Sequence, residues 1–204
     1  MMKRTRIAGA ALAVALCTFA ACTSTSQEEQ QQEVVTSEVQ EEAPEVQVAQ
    51  QDTIKGSIPS EATGNIGDAN LNIKYHAPGV KGRIIWGGLV PYNQVWVTGA
   101  HMATSLETDK ALLVDGKELP AGKYALFTIP GEAEWTVIIN KDWEQHLADK
   151  YTEQKDVLRV QVKPEDLAQH QERLKYEVVE QQGNEGAIKI SWEKKGVTVP
   201  VKTK

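Results

Sequence analysis

The sequence predicts an all-β domain, an antiparallel β-sandwich or a barrel-like fold, with one or two short helices. Short apolar runs recur about every ten residues, and turn-forming residues separate them. Asp115-Gly116 is the strongest hairpin signal, and Pro130-Gly131 marks a second tight turn between apolar runs. This rhythm of short runs and turns is typical of antiparallel sheets.

The individual elements follow from the same pattern. Segments that are short, apolar or alternating, and bounded by turn residues, are predicted as strands. They are residues 71–75, 95–97, 111–114, 123–129, 135–139, 157–162, 174–179, 187–192 and 197–201. Residues 142–150 are predicted as a short helix with Asp142 as its N-cap, and residues 163–173 as a further helical turn. Gly183 and Gly196 are assigned to turns between the closing strands.

The beginning of the chain has the pattern of a lipoprotein signal peptide over residues 1–21. Basic residues precede an apolar run that is too short to span a bilayer, and small residues lead to Cys22. Cleavage before Cys22 and acylation of its thiol would anchor the mature protein in a membrane. Cys17 lies in the removed segment, so no disulfide is expected. The alternative is an ordinary cleaved signal that leaves Cys22 as a free thiol.

Residues 22–51 are predicted as a disordered tether because they are rich in Gln and Glu and lack aromatic residues. Residues 52–204 have the size of one domain. The formal net charge is −6, and the acidity is concentrated in the tether, so the domain lacks the basic stripe of nucleic-acid-binding proteins. The expected partners are the membrane, through the acyl anchor, and an envelope protein or a small ligand. The expected location is the cell envelope, at the outer membrane, facing the periplasm or the exterior.

Three histidines follow the ends of apolar runs: His76, His101 and His146. Because the ends of neighbouring strands gather at one rim of a sandwich, the three imidazoles could converge on a divalent transition metal such as zinc, copper or iron. Asp149 would be a fourth ligand, or would orient one imidazole. For each histidine the alternative is a hydrogen-bonded turn residue. A metal-free cluster acting as general acid or base is a further alternative.

Other loop residues are suited to bind a ligand. Lys81 and Arg83, in a glycine-rich loop, are candidates for docking an anion or carboxylate, and the alternative is an Arg83 that bonds loop carbonyls. Trp86, Tyr92 and Trp143 are candidates for stacking on a sugar ring, and burial in the core is the alternative for the two tryptophans. Core burial is expected for the other tryptophans, Trp96, Trp135 and Trp192.

Three stretches carry a family resemblance: "YHAPGVKGRIIWGGLVPYNQVWVTGAHMATSLE", "LPAGKYALFTIPGEAEWTVIINKDWEQHLADKY" and "KDVLRVQVKP". Over residues 56–201 they resemble the domain of unknown function family 2911. The resemblance implies a bacterial envelope or secreted protein, often with a lipoprotein signal, and it implies no reaction. In the family's commoner pattern an Arg stands at the position of Val97, and Asn-Glu at the positions of His101 and Met102. This chain therefore has a different set of side chains at that place.

The leading functional hypothesis is a non-catalytic binding or envelope-interaction module on a membrane-anchored lipoprotein. Residues 52–204 contain no Gly-x-Ser-x-Gly elbow, no His-Glu-x-x-His motif and no cysteine pair, so the sequence indicates no enzyme class. One alternative is a metal-binding protein or metal-dependent enzyme that uses the strand-end histidines. The other is a carbohydrate-binding module.

Overall fold

The computed structural model describes residues 52–204. The predicted signal peptide, Cys22 and the tether lie outside the described residues. The strands are β1 (Ile58–Ile66), β2 (Ala69–Ala77), β3 (Ser105–Thr108), β4 (Leu112–Val114), β5 (Lys117–Leu119), β6 (Gly122–Ile129), β7 (Trp135–Asn140), β8 (Asp156–Val162), β9 (Glu165–Glu180) and β10 (Glu185–Thr203). They form a six-stranded sheet, β1-β2-β3-β6-β7-β8, and a four-stranded sheet, β5-β4-β10-β9. The fold is an antiparallel β-sandwich, as predicted.

Alternation along β6 and β7 places apolar side chains on both faces of the six-stranded sheet. Leu126 and Val137 belong to the main core, which the two sheets share. The neighbouring residues Phe127 and Ile138 belong to a second, smaller cluster on the opposite face. The connection between β7 and β8 covers this second cluster, and the rings of Phe127 and Tyr151 lie 5.4 Å apart. The outer face of the sheet is therefore partly a second core.

The predicted helix at residues 142–150 is absent, and the segment consists of irregular residues and bends, a bridge at His146 and a turn at residues 147–150. Leu147 has a φ of +48°, in the left-handed region that a right-handed helix cannot contain. Its amide donates to the carbonyl of His101 at 2.6 Å rather than to a residue one turn earlier. Within residues 52–204 the helical content is a single 3-10 turn, Glu153–Lys155. A tertiary hydrogen bond has replaced the local helix here.

The predicted helical turn at residues 163–173 is also wrong, because this polar segment is the first half of β9. It pairs with the second half of β10, where Glu165 lies opposite Gly196. Gly196 is therefore inside a strand and not in a turn. The two closing strands predicted at residues 187–192 and 197–201 are one long strand, with register shifts around Glu193. Pairing with a neighbour decides the conformation where local propensity is weak.

Three strands lie outside the predicted set, namely β1, β3 and β5. The sequence of β1, "IPSEATGNI", contains Pro, Gly and several polar residues and has little strand propensity of its own. It is ordered by pairing with β2 over its whole length, from Ile58 opposite Ala77 to Ile66 opposite Ala69. Conversely, the predicted strand at residues 95–97 forms only an isolated bridge between Trp96 and Thr128.

A long connection, residues 78–104, joins β2 to β3 and lies against both sheets. Near its start, Val80 donates to the carbonyl of Glu172 on β9 at 2.8 Å. Further along, Trp96 and Thr128 of β6 exchange backbone hydrogen bonds of 2.7 and 3.0 Å. The connection thus extends the six-stranded sheet beside the part of β6 that β3 does not reach. Its position is fixed by strand-like hydrogen bonds.

Arg173 on β9 holds the segment by which the chain enters the sandwich. Its guanidinium donates to the carbonyls of Ile54 and Gly56, each at 2.7 Å, and pairs with the carboxylate of Asp52. The hydrogen bond from Arg173 is the main cause that lowers the pKa of Asp52 to about 2. The carboxylate is therefore ionised at neutral pH, and the entry segment is tied to the middle of β9.

We expect Arg173→Ala to release the entry segment without unfolding the sandwich. Trypsin should then cleave after Lys55 much faster than in the parent protein, because an unpaired segment reaches a protease readily. Timed digestion followed by mass spectrometry measures this rate. Arg159→Ala, which removes another ion-paired arginine on β8, is the matched control and should leave the rate unchanged. Equal cleavage rates in all three proteins would contradict the view that Arg173 holds the entry segment in place (the entry clamp).

Candidate functional site

The end of the connection is held by a strained residue, Thr98. Thr98 is fully buried and has a φ of +50°, which is costly for a β-branched side chain. The hydroxyls of Tyr176 and Thr104 donate to its carbonyl at 2.8 and 3.0 Å, and its own hydroxyl lies 2.9 Å from that of Thr128. These bonds from both sheets fix the backbone that leads to residues 99–103.

His76 and His101 meet beside this fixed backbone. The ring centroids are 5.1 Å apart, and the ring planes are inclined at 74°. His76 comes from the end of β2, whereas His101 is exposed in the connection with a φ of +61°. Burial lowers the pKa of His76 below its usual value, and a charge on His101 lowers it further. His76 is therefore neutral at neutral pH.

The other two predicted metal ligands form a pair of their own. Nδ1 of His146 lies 2.9 Å from a carboxylate oxygen of Asp149, and both side chains are exposed. Among residues 52–204, no three His, Cys, Asp or Glu side chains come together in a group that could hold a metal ion. The four predicted ligands are thus two pairs, and the single four-residue site expected from the sequence is not assembled. The turn at residues 147–150, in which Asp149 donates to the carbonyl of His146, brings His146 and Asp149 together, while His76 and His101 contact each other.

A groove of about 630 Å³ opens on the outer face of the six-stranded sheet, next to the histidine pair. His76, Met102 and Trp143 are among its lining residues. A Glu61–Lys74 ion pair at 3.7 Å also belongs to its wall. Nζ of Lys123 lies 3.7 Å from the centroid of the Trp143 ring, so this cation covers the indole.

A second cleft, of about 580 Å³, lies on the other side of the connection. Trp96 and Trp192 line it, stacked with ring centroids 5.6 Å apart. Lys81 and Arg83 are at its margin. Arg83 donates from Nε to the carbonyl of Val80 at 3.1 Å and also bonds the carbonyl of Gly79, which is the structural role that the sequence left open.

The residues predicted to stack on a sugar do not share a surface. Trp86 packs inside a cluster of four tryptophans, with ring centroids 4.8 Å from Trp135 and 5.9 Å from Trp96. Trp86 and Tyr92 border a small pocket of about 180 Å³, while Trp143 belongs to the 630 Å³ groove. Trp135 and Trp192 are 3% and 1% exposed, so core burial is confirmed for both. The three side chains therefore do not form one surface on which a sugar ring could stack.

Sequence reasoning missed a group of exposed apolar side chains, which we call the apolar patch. Its members are Ile54, Ile84, Leu89 and Leu147, with exposed fractions of 54%, 79%, 47% and 37%. Leu89 and Leu147 line the 580 Å³ cleft, and the amide of Leu89 bonds the carbonyl of Ile84 at 3.0 Å. The entry clamp brings Ile54 to the same end, because Lys81 at the cleft margin pairs with Asp52 at 3.3 Å. The sequence contains one indication of this patch, because the stretch "IIWGGL" places apolar side chains in a loop.

No helix in the described part of the chain is long and apolar enough to cross a membrane. Comparison with curated proteins and with solved structures gave no match. A family model described as "Protein of unknown function (DUF2911)" matches residues 57–201, which is most of the chain and includes the connection and the histidine pair. The chain is therefore a member of the DUF2911 family.

Proposed function

We propose that this protein is a membrane-anchored envelope lipoprotein whose β-sandwich domain binds another envelope protein. The observation that carries the proposal is the apolar patch. Its member Ile84 is 79% exposed, and the adjoining cleft is lined in part by the stacked Trp96 and Trp192. Contiguous apolar surface on a small domain, rimmed by polar groups, marks an interaction site more often than a chance exposure. Loops presented on a rigid sandwich are common carriers of such sites.

The entry segment supports a partner at the membrane. Ile54 of the patch belongs to the segment that Arg173 clamps, so residues 23–51 would join the domain at this end. A flexible tether of that length has a mean span of roughly 30 Å. An acylated Cys22 would therefore keep the patch within reach of proteins held in the same membrane. A high local concentration compensates for a modest interface.

Photo-crosslinking in intact cells tests the interaction. A photoreactive amino acid in place of Leu147 should give a discrete light-dependent adduct, whereas the same group in place of Ala168, exposed on β9, should not. Adding Ile84→Ser and Leu89→Ser should reduce the adduct about tenfold, since each truncated apolar anchor costs more than about 1 kcal/mol of binding. The matched pair Ile84→Val and Leu89→Met keeps the apolar surface and should retain the adduct.

Two further outcomes separate binding from anchoring. Equal adducts from positions 147 and 168, or an adduct insensitive to the serine substitutions, would contradict the interaction surface. Cys22→Ala should remove fatty-acid labelling and release the protein from the membrane fraction, and the adduct should then fall because the tether no longer concentrates the two partners. Fatty-acid labelling that persists in Cys22→Ala would contradict acylation at Cys22. The crosslinking results would then test the apolar patch independently of the anchor.

A further inference from the structure

His76 and His101 are set apart from the other histidines by their partners. His146 pairs with Asp149, and His170 lies 3.2 Å from a carboxylate oxygen of Glu172. Within residues 52–204, neither His76 nor His101 has a carboxylate partner, and the two rings contact each other instead. Two imidazoles that face one another without a counter-ion are unfavourable when both are protonated. Charge pairing therefore does not explain why the two imidazole rings lie next to each other.

Backbone hydrogen bonds on both sides hold His101 next to His76. The carbonyl of His101 accepts from Leu147 at 2.6 Å, and Ala103 donates to the carbonyl of Gln145 at 2.9 Å. These two bonds frame an isolated antiparallel bridge between Met102 and His146. The left-handed φ of His101, +61°, is thus imposed by the β7–β8 connection. The pair is fixed by tertiary structure and does not depend on a flexible loop.

Met102 contributes a sulfur atom next to the pair formed by His76 and His101. It follows His101 directly, its side chain is 48% exposed, and it lines the 630 Å³ groove together with His76. An exposed methionine in a small domain contributes little to the core. Its thioether is a soft ligand, and soft sulfur ligands combined with imidazole favour monovalent copper over zinc or magnesium.

We propose that His76, His101 and Met102 form a binding site for a monovalent copper ion at the edge of this groove, where His76 contacts His101. Two imidazole nitrogens and one thioether sulfur are a sufficient ligand set for Cu(I), which accepts low coordination numbers and soft donors. The proposed ligand set contains no carboxylate, and in the described part of the chain no group of three His, Cys, Asp or Glu side chains would compete with it for a metal ion. Trp143 also lines the groove.

Transfer of Cu(I) from a coloured chelator tests the proposal. The detergent-solubilised full-length protein, kept anaerobic with ascorbate, should withdraw about one Cu(I) per chain from the bicinchoninate complex. His101→Ala and Met102→Leu should each weaken the affinity by about tenfold or more, since even the outer partners of metal ligands are worth that much. His170→Ala, which removes a histidine elsewhere on β9, is the matched control and should change nothing.

A second measurement identifies the ligands themselves. X-ray absorption of the copper-loaded protein should show a sulfur scatterer that Met102→Leu removes while imidazole scattering remains. His101 and Met102 are exposed, so both variants should unfold at the parent's urea concentration, which excludes misfolding as the cause. No withdrawal of Cu(I) by the parent protein would overturn the proposal. So would an affinity that His101→Ala and Met102→Leu leave unchanged, or a copper spectrum without sulfur.

Discussion

Trp192→Ala is expected to lower the free energy of unfolding by about 3–5 kcal/mol, the range for truncating a large buried aromatic side chain. Trp192 lies on β10, is 1% exposed, and stacks on Trp96 with an angle of 17° between the rings. Its removal leaves a cavity where the connection 78–104 meets the main core. Urea titration followed by circular dichroism measures the change.

The control for Trp192 is Ile84→Ala, which shortens an apolar side chain that is 79% exposed. That change should stay within about 0.5 kcal/mol. Trp192→Ala should also weaken any adduct formed by the apolar patch, because Trp192 lines the adjoining cleft. A loss of less than about 1 kcal/mol would mean that the sandwich closes over the vacated space, and the tryptophan cluster would then not be the support of the connection.

Phe127→Ala is expected to cost about 3–5 kcal/mol as well, but through the second core. Phe127 is 0% exposed on β6 and packs on the outer face of the sheet with Ile138 and Tyr151. This cluster attaches the β7–β8 connection, and that connection in turn holds His101 through the amide of Leu147. Urea titration gives the stability, and hydrogen exchange at Leu147 reports on the attachment.

The amide of Leu147 should exchange faster in Phe127→Ala than in Trp192→Ala at matched global stability, because only the first substitution loosens the outer-face cluster. Phe127→Leu keeps most of the apolar volume and should cost less than about 1.5 kcal/mol. If Leu147 exchanges equally fast in both alanine variants, the two clusters unfold as one unit. The position of His101 would then not depend on the outer face in particular.

The fold class was predictable because it depends on short-range patterns. Asp115-Gly116 joins β4 to β5, and Pro130 with Gly131 separates β6 from β7, so two hairpins are where the turn chemistry predicts them. The apolar runs of β6 and β7 are strands for the same reason. β1 was not predictable, because its sequence is polar and its conformation comes from β2, with which it pairs at every residue.

The candidate sites were likewise predictable only in part. The sequence marked His76, His101 and His146 as strand-end residues, but it could not show which of them meet. His76 contacts His101 only because the connection 78–104 is held at two points. Tyr176 of β9 donates to Thr98, and the amide of Leu147 in the β7–β8 connection donates to His101. The same bond at Leu147 prevented the predicted helix and left His146 with Asp149. The apolar patch likewise exists only when loops distant in sequence are brought together.

The sequence by itself determined the all-β class, the principal hairpins, the burial of Trp135 and Trp192, and the membership of the DUF2911 family. These features depend on residue types and on spacings of a few positions, which can be read directly from the sequence. Only the tertiary structure decided the sheet order, the two cores, the pairing of the histidines and the apolar patch. Those depend on hydrogen bonds and packing between residues far apart in the chain, where local preference is too weak to determine the outcome.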